Sequence, residues 1–240
     1  MNIVILNGWA MPACVLNEIC ERLEALTLCT CIRVIDIDRS LTAKQWVQYL
    51  DESIIENTLL IGWSLGGMLA VEYAHEYPEK LRGLCTLQMN PKFIAATDWS
   101  CAMSMDTFSE FKQLAAYDAK TMVKRFGFLV TAKGDDALSD FKQLKRTFVA
   151  GTLPSTEVLQ RGLELLETVD VRNKLSELAL PQLHIYGEQD QLVPNEVKKQ
   201  MELLSGQTNV TLLAGMSHLP CYGSAQSVVD LIHEFAGGLS

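Results

Sequence analysis

The chain has 240 residues, 48% of them hydrophobic, and a formal charge of −9, enough length and apolar content for one α/β domain with an insertion rather than two independent domains. The negative balance argues against nonspecific nucleic-acid binding, and no apolar run reaches the roughly 20 residues that a bilayer-crossing helix needs. Seven cysteines form an odd set and Met1-Asn2-Ile3-Val4-Ile5-Leu6 lacks the basic flank of a signal peptide, so reduced thiols and a cytoplasmic, monomeric protein are expected. Cys29 and Cys31 are the only close pair and lack further ligands at matched spacing, so no metal is expected.

Six β-rich runs follow one another: Ile3 to Leu6, Ile32 to Ile37, Thr58 to Gly62, Gly83 to Met89, Gln182 to Gly187 and Asn209 to Ala214. Helical patterns alternate with them around 15 to 26, 42 to 54, 65 to 77, 195 to 205 and 225 to 236. That alternation predicts right-handed crossovers around a mostly parallel sheet, and the near-continuous apolar character of the runs predicts a sheet covered on both faces. Between Asn90 and about Leu180 the β-runs stop and helical patterns succeed one another at about 106 to 116, 118 to 131, 135 to 150 and 155 to 167. The expected organisation is therefore a core from 1 to 90 and 181 to 240, with a helical lid inserted at 91 to 180 above the C-terminal ends of the strands, where open α/β folds bind ligands.

The run Leu59-Leu60-Ile61-Gly62-Trp63-Ser64-Leu65-Gly66-Gly67 joins a strand to a helix through a glycine-flanked serine, the pattern of a nucleophile elbow. Such a turn is tight enough to exclude side chains at Gly62 and Gly66, and it pushes the Ser64 hydroxyl into the open. A bare G-x-S-x-G pentad also reads as a serine N-cap in a glycine-rich turn; the strand before it and the amphipathic helix after it favour the elbow.

Serine needs a base to take its proton, and the base needs a third group to orient it. Of the four histidines, His75 falls in the helix after the elbow, His184 in a strand and His233 in the terminal helix. His218 alone sits on a loop after a strand, between Gly215 and Pro220, and is the candidate base. Asp190 follows the preceding strand within Gly187-Glu188-Gln189-Asp190, with Glu188 and Asp170 as competitors, and the order Ser64, Asp190, His218 is that of α/β-hydrolases. The Leu65 N–H, at the start of the helix, and the Trp9 N–H, in the loop Asn7-Gly8-Trp9-Ala10-Met11, are the candidate oxyanion donors. The indoles of Trp9 and Trp63 are expected to wall the pocket. No cofactor is needed for this chemistry.

With these residues assembled, the chain resembles the α/β-hydrolases, and specifically the pimeloyl-[acyl-carrier protein] methyl ester esterases of biotin synthesis. The matching stretches are N-G-W at 7 to 9, G-W-S-L-G-G at 62 to 67, V-K-R-F at 123 to 126, G-L-E-L-L-E-T-V-D-V-R at 162 to 172, Y-G-E-Q-D-Q-L-V-P at 186 to 194 and S-H-L-P at 217 to 220. The resemblance implies an esterase with Ser64 as nucleophile, His218 as general base and acid, Asp190 as orienter, and the Trp9 and Leu65 amides as oxyanion donors. It further implies that Phe93, Phe126 and Trp63 line the acyl-chain pocket, and that basic lid residues, here Arg125, Lys142 and Arg146, meet an acyl-carrier protein bearing an acyl methyl ester. Residues 107 to 150 hold eight basic against five acidic groups, a net +3 in a chain of −9. Such a contrast can steer an acidic partner to one face. The sequence departs from the family at Asn7, where many relatives have histidine, and in the lid bases, which match only in part. Small-molecule esters are the other substrate class expected. The rival readings are a general short-chain esterase, a lactonase or a carbon–carbon bond hydrolase with the same machinery, and, from another class, a ligand receptor of the same fold.

Overall fold

A computed structural model describes residues 1–26, 29–150, 154–204 and 208–239. Six strands, β1 (Asn2–Leu6), β2 (Cys31–Ile35), β3 (Thr58–Trp63), β4 (Leu81–Leu87), β5 (Gln182–Gly187) and β6 (Thr208–Leu213), form one sheet in the order β2-β1-β3-β4-β5-β6. Every neighbouring pair is parallel. The chain thus steps outward from β1 to one edge, returns to β3, and proceeds to the other edge. The crevice that such a reversal opens lies at the carboxyl ends of β1 and β3.

Every residue of β3 and β5 is buried, which requires cover on both faces of the sheet. The helices α1 (Asn17–Ala25), α2 (Ala43–Asp51), α3 (Leu65–Glu76), α9 (Val197–Leu204) and α10 (Ala225–Gly237) provide it. α3 packs on β1, β3 and β4, and α1 packs on α10. Between β4 and β5 lie α4 (Met105–Tyr117), α5 (Ala119–Thr131), α6 (Ala137–Ala150), α7 (Thr156–Thr168) and α8 (Arg172–Glu177). Side-chain caps start three of these: Ser104 accepts from Thr107 N, Asp118 from Thr121 N and Ser155 from Val158 N.

All six expected strands and nine expected helices are present with ends shifted by at most three residues, the largest shift at α2, which stops at Asp51 and not at 54; position 205, at the end of one expected helix, lies outside the described residues. The differences have local causes. β2 stops at Ile35, the last residue paired with β1, and beyond it the Asp36 carboxylate accepts from the Asn7 amide at 2.9 Å. β4 stops at Leu87 because Gln88 adopts a left-handed backbone, φ 53°, which ends a ladder. α8 was not expected: six residues are too few for a periodicity to be read.

One polar pair crosses the centre of the sheet. His184 on β5 is fully buried, with Nδ1 2.7 Å from Thr86 Oγ1 on β4 and Nε2 3.3 Å from Gln182 Oε1. An amide oxygen only accepts, so Nε2 carries the hydrogen and Thr86 donates to Nδ1. Burial disfavours the imidazolium and lowers the pKa from 6.5 to about 3. Between those two values the unfolded chain binds a proton at this site and the folded chain does not. Stability is therefore whole above pH 6.5 and lost as pH falls towards 3, at up to about 1.4 kcal/mol per pH unit. Denaturant unfolding at pH 7, 6 and 5 is expected to give a shallower pH dependence for His184→Asn than for the wild type; parallel curves would refute the assignment.

Candidate active site

Ser64 stands between β3 and α3 with φ 54° and ψ −119°, a conformation that costs about 1–3 kcal/mol and that the surrounding packing must impose. The packing is visible at the glycines. A Cβ on Gly62 would come within 2.5 Å of the Gly66 carbonyl and Gly67 Cα, and one on Gly66 within 2.4 Å of the Leu6 and Asn7 carbonyls. α3 is thereby pressed onto the end of β1, and the bend can only sit where the serine is.

The Ser64 Oγ lies 3.0 Å from His218 Nε2, and His218 Nδ1 lies 2.7 Å from Asp190 Oδ2. Asp190 Oδ1 accepts from the Leu192 and Val193 amides at 2.7 and 3.0 Å. With the carboxylate as acceptor, Nδ1 carries the imidazole hydrogen and Nε2 is left free to receive the serine proton. His218 is only 1% exposed, and its carbonyl accepts from the Trp63 indole N–H at 3.0 Å. Three residues far apart in sequence thus form one hydrogen-bonded chain.

The competitors lie elsewhere. Glu188 is exposed. Burial alone would raise the Asp170 pKa, but hydrogen bonds from Arg172 and Lys92 outweigh it and hold the carboxyl at about 2. That group anchors a bridge between Lys92 and Asp170, with Arg172 also reaching Asp98 at 2.9 Å. Of the other histidines, His75 pairs with Glu177, 2.8 Å away, His184 is the sheet residue above, and His233 is exposed.

Leu65 is the first residue of α3, so its N–H has no acceptor within the helix. Trp9 lies in the turn after β1, which Asn7 holds in shape. Asn7 Oδ1 accepts from Gly8 N at 2.8 Å, and its Nδ2 donates to Met11 O at 2.6 Å and to Asp36 Oδ1 at 2.9 Å. Asparagine at this position therefore supports the candidate oxyanion loop from both ends.

An apolar cavity is lined by Trp9, Phe93, Phe108, Phe126, Leu163 and Leu192, among others. Trp9 and Leu192 connect it to the serine site, the first through the candidate oxyanion loop and the second through its bond to Asp190. Trp9 is fixed by a 3.0 Å bond from its indole to Leu159 O and by edge-on contact with Phe126 at 4.8 Å. A Cβ on Gly162 would fall 2.2 Å from the indole, which accounts for the glycine that opens the stretch from 162 to 172. Phe93 and Phe126 line the cavity, but Trp63 does not: its ring, 1% exposed, braces the histidine loop from behind. The cavity holds only about 20 Å³, room for a water rather than an acyl chain.

The basic residues separate into two places. Arg125, on α5, faces α4, 3.6 Å from Glu110 and 5.7 Å from the centre of the Phe111 ring. Lys142 and Arg146 join Lys145, Phe141 and Val149 along an open groove on α6, and Arg125 does not line it.

The model of the alpha/beta hydrolase fold family matches residues 29–224. The chain belongs to the α/β-hydrolase family. It is 32% identical over 247 residues to the pimeloyl-[acyl-carrier protein] methyl ester esterase of Edwardsiella ictaluri, covering 100% of this chain and 94% of that protein. It is 36% identical over 181 residues to the enzyme of the same name from Photorhabdus laumondii, covering 75% of this chain and 69% of that one. Among solved structures, a bromoperoxidase from Bacillus anthracis superposes with a TM-score of 0.83 at 19% identity, over 98% of this chain and 91% of that one. An esterase from Exiguobacterium antarcticum does so with a TM-score of 0.82 at 17% identity, over 99% and 92%. At those identities the structures speak for the fold, and the 32% and 36% relatives carry the esterase assignment.

Proposed function

We propose that this α/β-hydrolase is a serine carboxylesterase that hydrolyses the methyl ester of pimeloyl-[acyl-carrier protein], releasing methanol and a free terminal carboxylate. The hydrogen-bonded chain from Ser64 through His218 to Asp190 is the observation that carries the chemistry, and the relatives' shared activity suggests the substrate. Ser64 Oγ attacks the ester carbonyl as His218 Nε2 takes its proton, and the amides of Trp9 and Leu65 hold the oxyanion. The imidazolium then protonates the departing methoxide, leaving an acyl-enzyme. Water, deprotonated by His218, attacks that ester, and the proton returns to Ser64 as the carboxylate leaves.

The cavity beside Trp9 is apolar throughout, suited to a polymethylene chain and unsuited to a carboxylate. In this form, at about 20 Å³, it is too small for such a chain. We read α4 to α8 as a lid over the core, and the segments carrying Phe93, Phe108 and Phe126 must part to admit the chain.

The carrier protein is assigned to α6. Leu138, Phe141, Lys142, Lys145, Arg146 and Val149 recur at helical spacing, and Leu138 and Val149 are each 89% exposed. Phe128 of α5 adds an exposed ring edge-on to Phe141 at 5.7 Å. A basic face with an apolar stripe fits an acidic amphipathic helix; Arg125 stands apart from it, already paired with Glu110. The test is kcat/KM on the methyl pimeloyl carrier, free methyl pimelate and a p-nitrophenyl ester. The carrier substrate is expected to be preferred, and Lys142→Glu with Arg146→Glu to lower that preference by roughly tenfold at low salt while sparing the p-nitrophenyl ester. Equal efficiency on all three substrates would replace this reading with a general esterase.

A further inference from the structure

We infer that Gln88 is a positioning residue that locks the aspartate loop to the histidine loop; the inference rests on the reading of Ser64, His218 and Asp190 as the catalytic groups. Gln88 follows β4 directly, is fully buried, and uses both ends of its amide. Its Oε1 accepts from Gly187 N at 2.7 Å, and its Nε2 donates to the Ser217 carbonyl. Gly187 ends β5 three residues before Asp190, and Ser217 immediately precedes His218. One side chain therefore bonds the backbone of both loops whose separation sets the 2.7 Å contact between Asp190 and His218.

Two further observations point the same way. A Cβ on Gly187 would lie 2.7 Å from Gln88 Nε2 and 2.3 Å from the Met216 carbonyl, so the three segments meet with no space for adjustment. The Gln88 backbone is held at φ 53°, a conformation unfavourable for a side-chain-bearing residue and maintained only by its surroundings. Ala10 and Ser64, at φ 58° and 54°, share it. These three non-glycine outliers stand after β1, β3 and β4, around the same end of the sheet. Past the strand ladder, the two loops are otherwise joined through backbone bonds such as that from Gln189 N to Met216 O at 3.0 Å.

A glutamine is chemically required, because the clamp needs an acceptor and a donor two bonds apart in one uncharged side chain. Methionine matches the length and offers neither. Glutamate keeps the acceptor for Gly187 N–H, turns a second acceptor on the Ser217 carbonyl, and restores the donor only when protonated.

The test measures wild type, Gln88→Met and Gln88→Glu on a p-nitrophenyl ester from pH 5 to 9, with rates divided by sites that react with a fluorophosphonate titrant so that only competent molecules count. Gln88→Met is expected to lower kcat at least tenfold with KM within about twofold, since a small misplacement of a catalytic group slows chemistry while leaving binding intact. The acid limb of its profile is expected at lower pH, because a loosened Asp190 stabilises the imidazolium less. The Gln88→Glu deficit is expected to shrink as pH falls and the carboxyl regains a proton. Rates per site within twofold of wild type with unmoved profiles would overturn the proposal, and so would loss of cooperative unfolding in both variants, which would make Gln88 a purely structural residue. Loss of titratable sites in a variant that still unfolds cooperatively would support it. Wild-type turnover and its absence in Ser64→Ala, in the same assay, decide the serine reading separately.

Discussion

Ser64→Ala is expected to reduce kcat on any ester substrate by roughly 10⁶-fold, with the protein still folded and still able to bind ester. The size of the effect follows from the arrangement of the groups. His218 Nε2 has one partner in the site, the Ser64 Oγ at 3.0 Å, and without that oxygen its general-base function has no proton to receive. What remains is the proposed oxyanion site and the pocket, which keep only a small part of the full acceleration. The substitution also removes a small polar atom from a residue that is 9% exposed, so stability should change little, and alanine inherits the same unfavourable φ of 54°. The measurement is kcat for a p-nitrophenyl ester, together with labelling by a fluorophosphonate, which the variant should not undergo. A residual rate within a hundredfold of wild type would remove Ser64 from the role proposed for it. Slow single labelling of wild type without product release would instead indicate a ligand receptor of the same fold.

The fold was legible because its signals are local and repeated. Strands such as Thr58–Trp63 and Gln182–Gly187 are short runs dominated by apolar residues or buried on both faces, and each is followed by a helix whose rows can be counted. The elbow was legible for a steric reason: glycines at 62, 66 and 67 flank a serine in the one order that lets α3 lie against β1, and a Cβ at any of the three would come within 2.7 Å of another atom. His218 and Asp190 could be selected because both follow strands directly, and the structure brings them together with Ser64.

What stayed hidden depends on contacts that no spacing encodes. Trp63 resembled a pocket residue because it adjoins the serine, yet it is not among the residues that line the cavity, and its N–H is spent on the His218 carbonyl. Gly162 opens a stretch that matches the family, but its role is not in the spacing: the Trp9 indole rests against it from a segment more than a hundred residues away. Gln88 gave one faint signal, a polar side chain near the end of an apolar run, and its two partners lie on loops that only the folded sheet makes neighbours. Arg125 and Lys142 looked equivalent by charge. Their separation into a residue paired with Glu110 and a residue on an open groove depends on how α4, α5 and α6 pack.

Asp190→Asn is the second large effect expected, a fall in kcat of roughly 10⁴-fold with little loss of stability. The reason lies in the two amides that address the other carboxylate oxygen. Leu192 N and Val193 N donate to Oδ1 at 2.7 and 3.0 Å, so an asparagine will place its carbonyl oxygen there, where donors already wait, and its NH₂ towards His218 Nδ1. A donor facing Nδ1 forces that nitrogen to accept and moves the imidazole hydrogen to Nε2. The ring then donates to Ser64 Oγ when it should be receiving a proton, so the geometry survives and the tautomer is wrong. No charge remains to stabilise the imidazolium that attack would create. Glu188→Gln is the matched control, since that side chain is exposed on the same loop, and its kcat should stay within about twofold of wild type. If Asp190→Asn lost less than tenfold while Glu188→Gln lost more, the orienting role would pass to Glu188 and the 2.7 Å contact between Asp190 and His218 would be structural only.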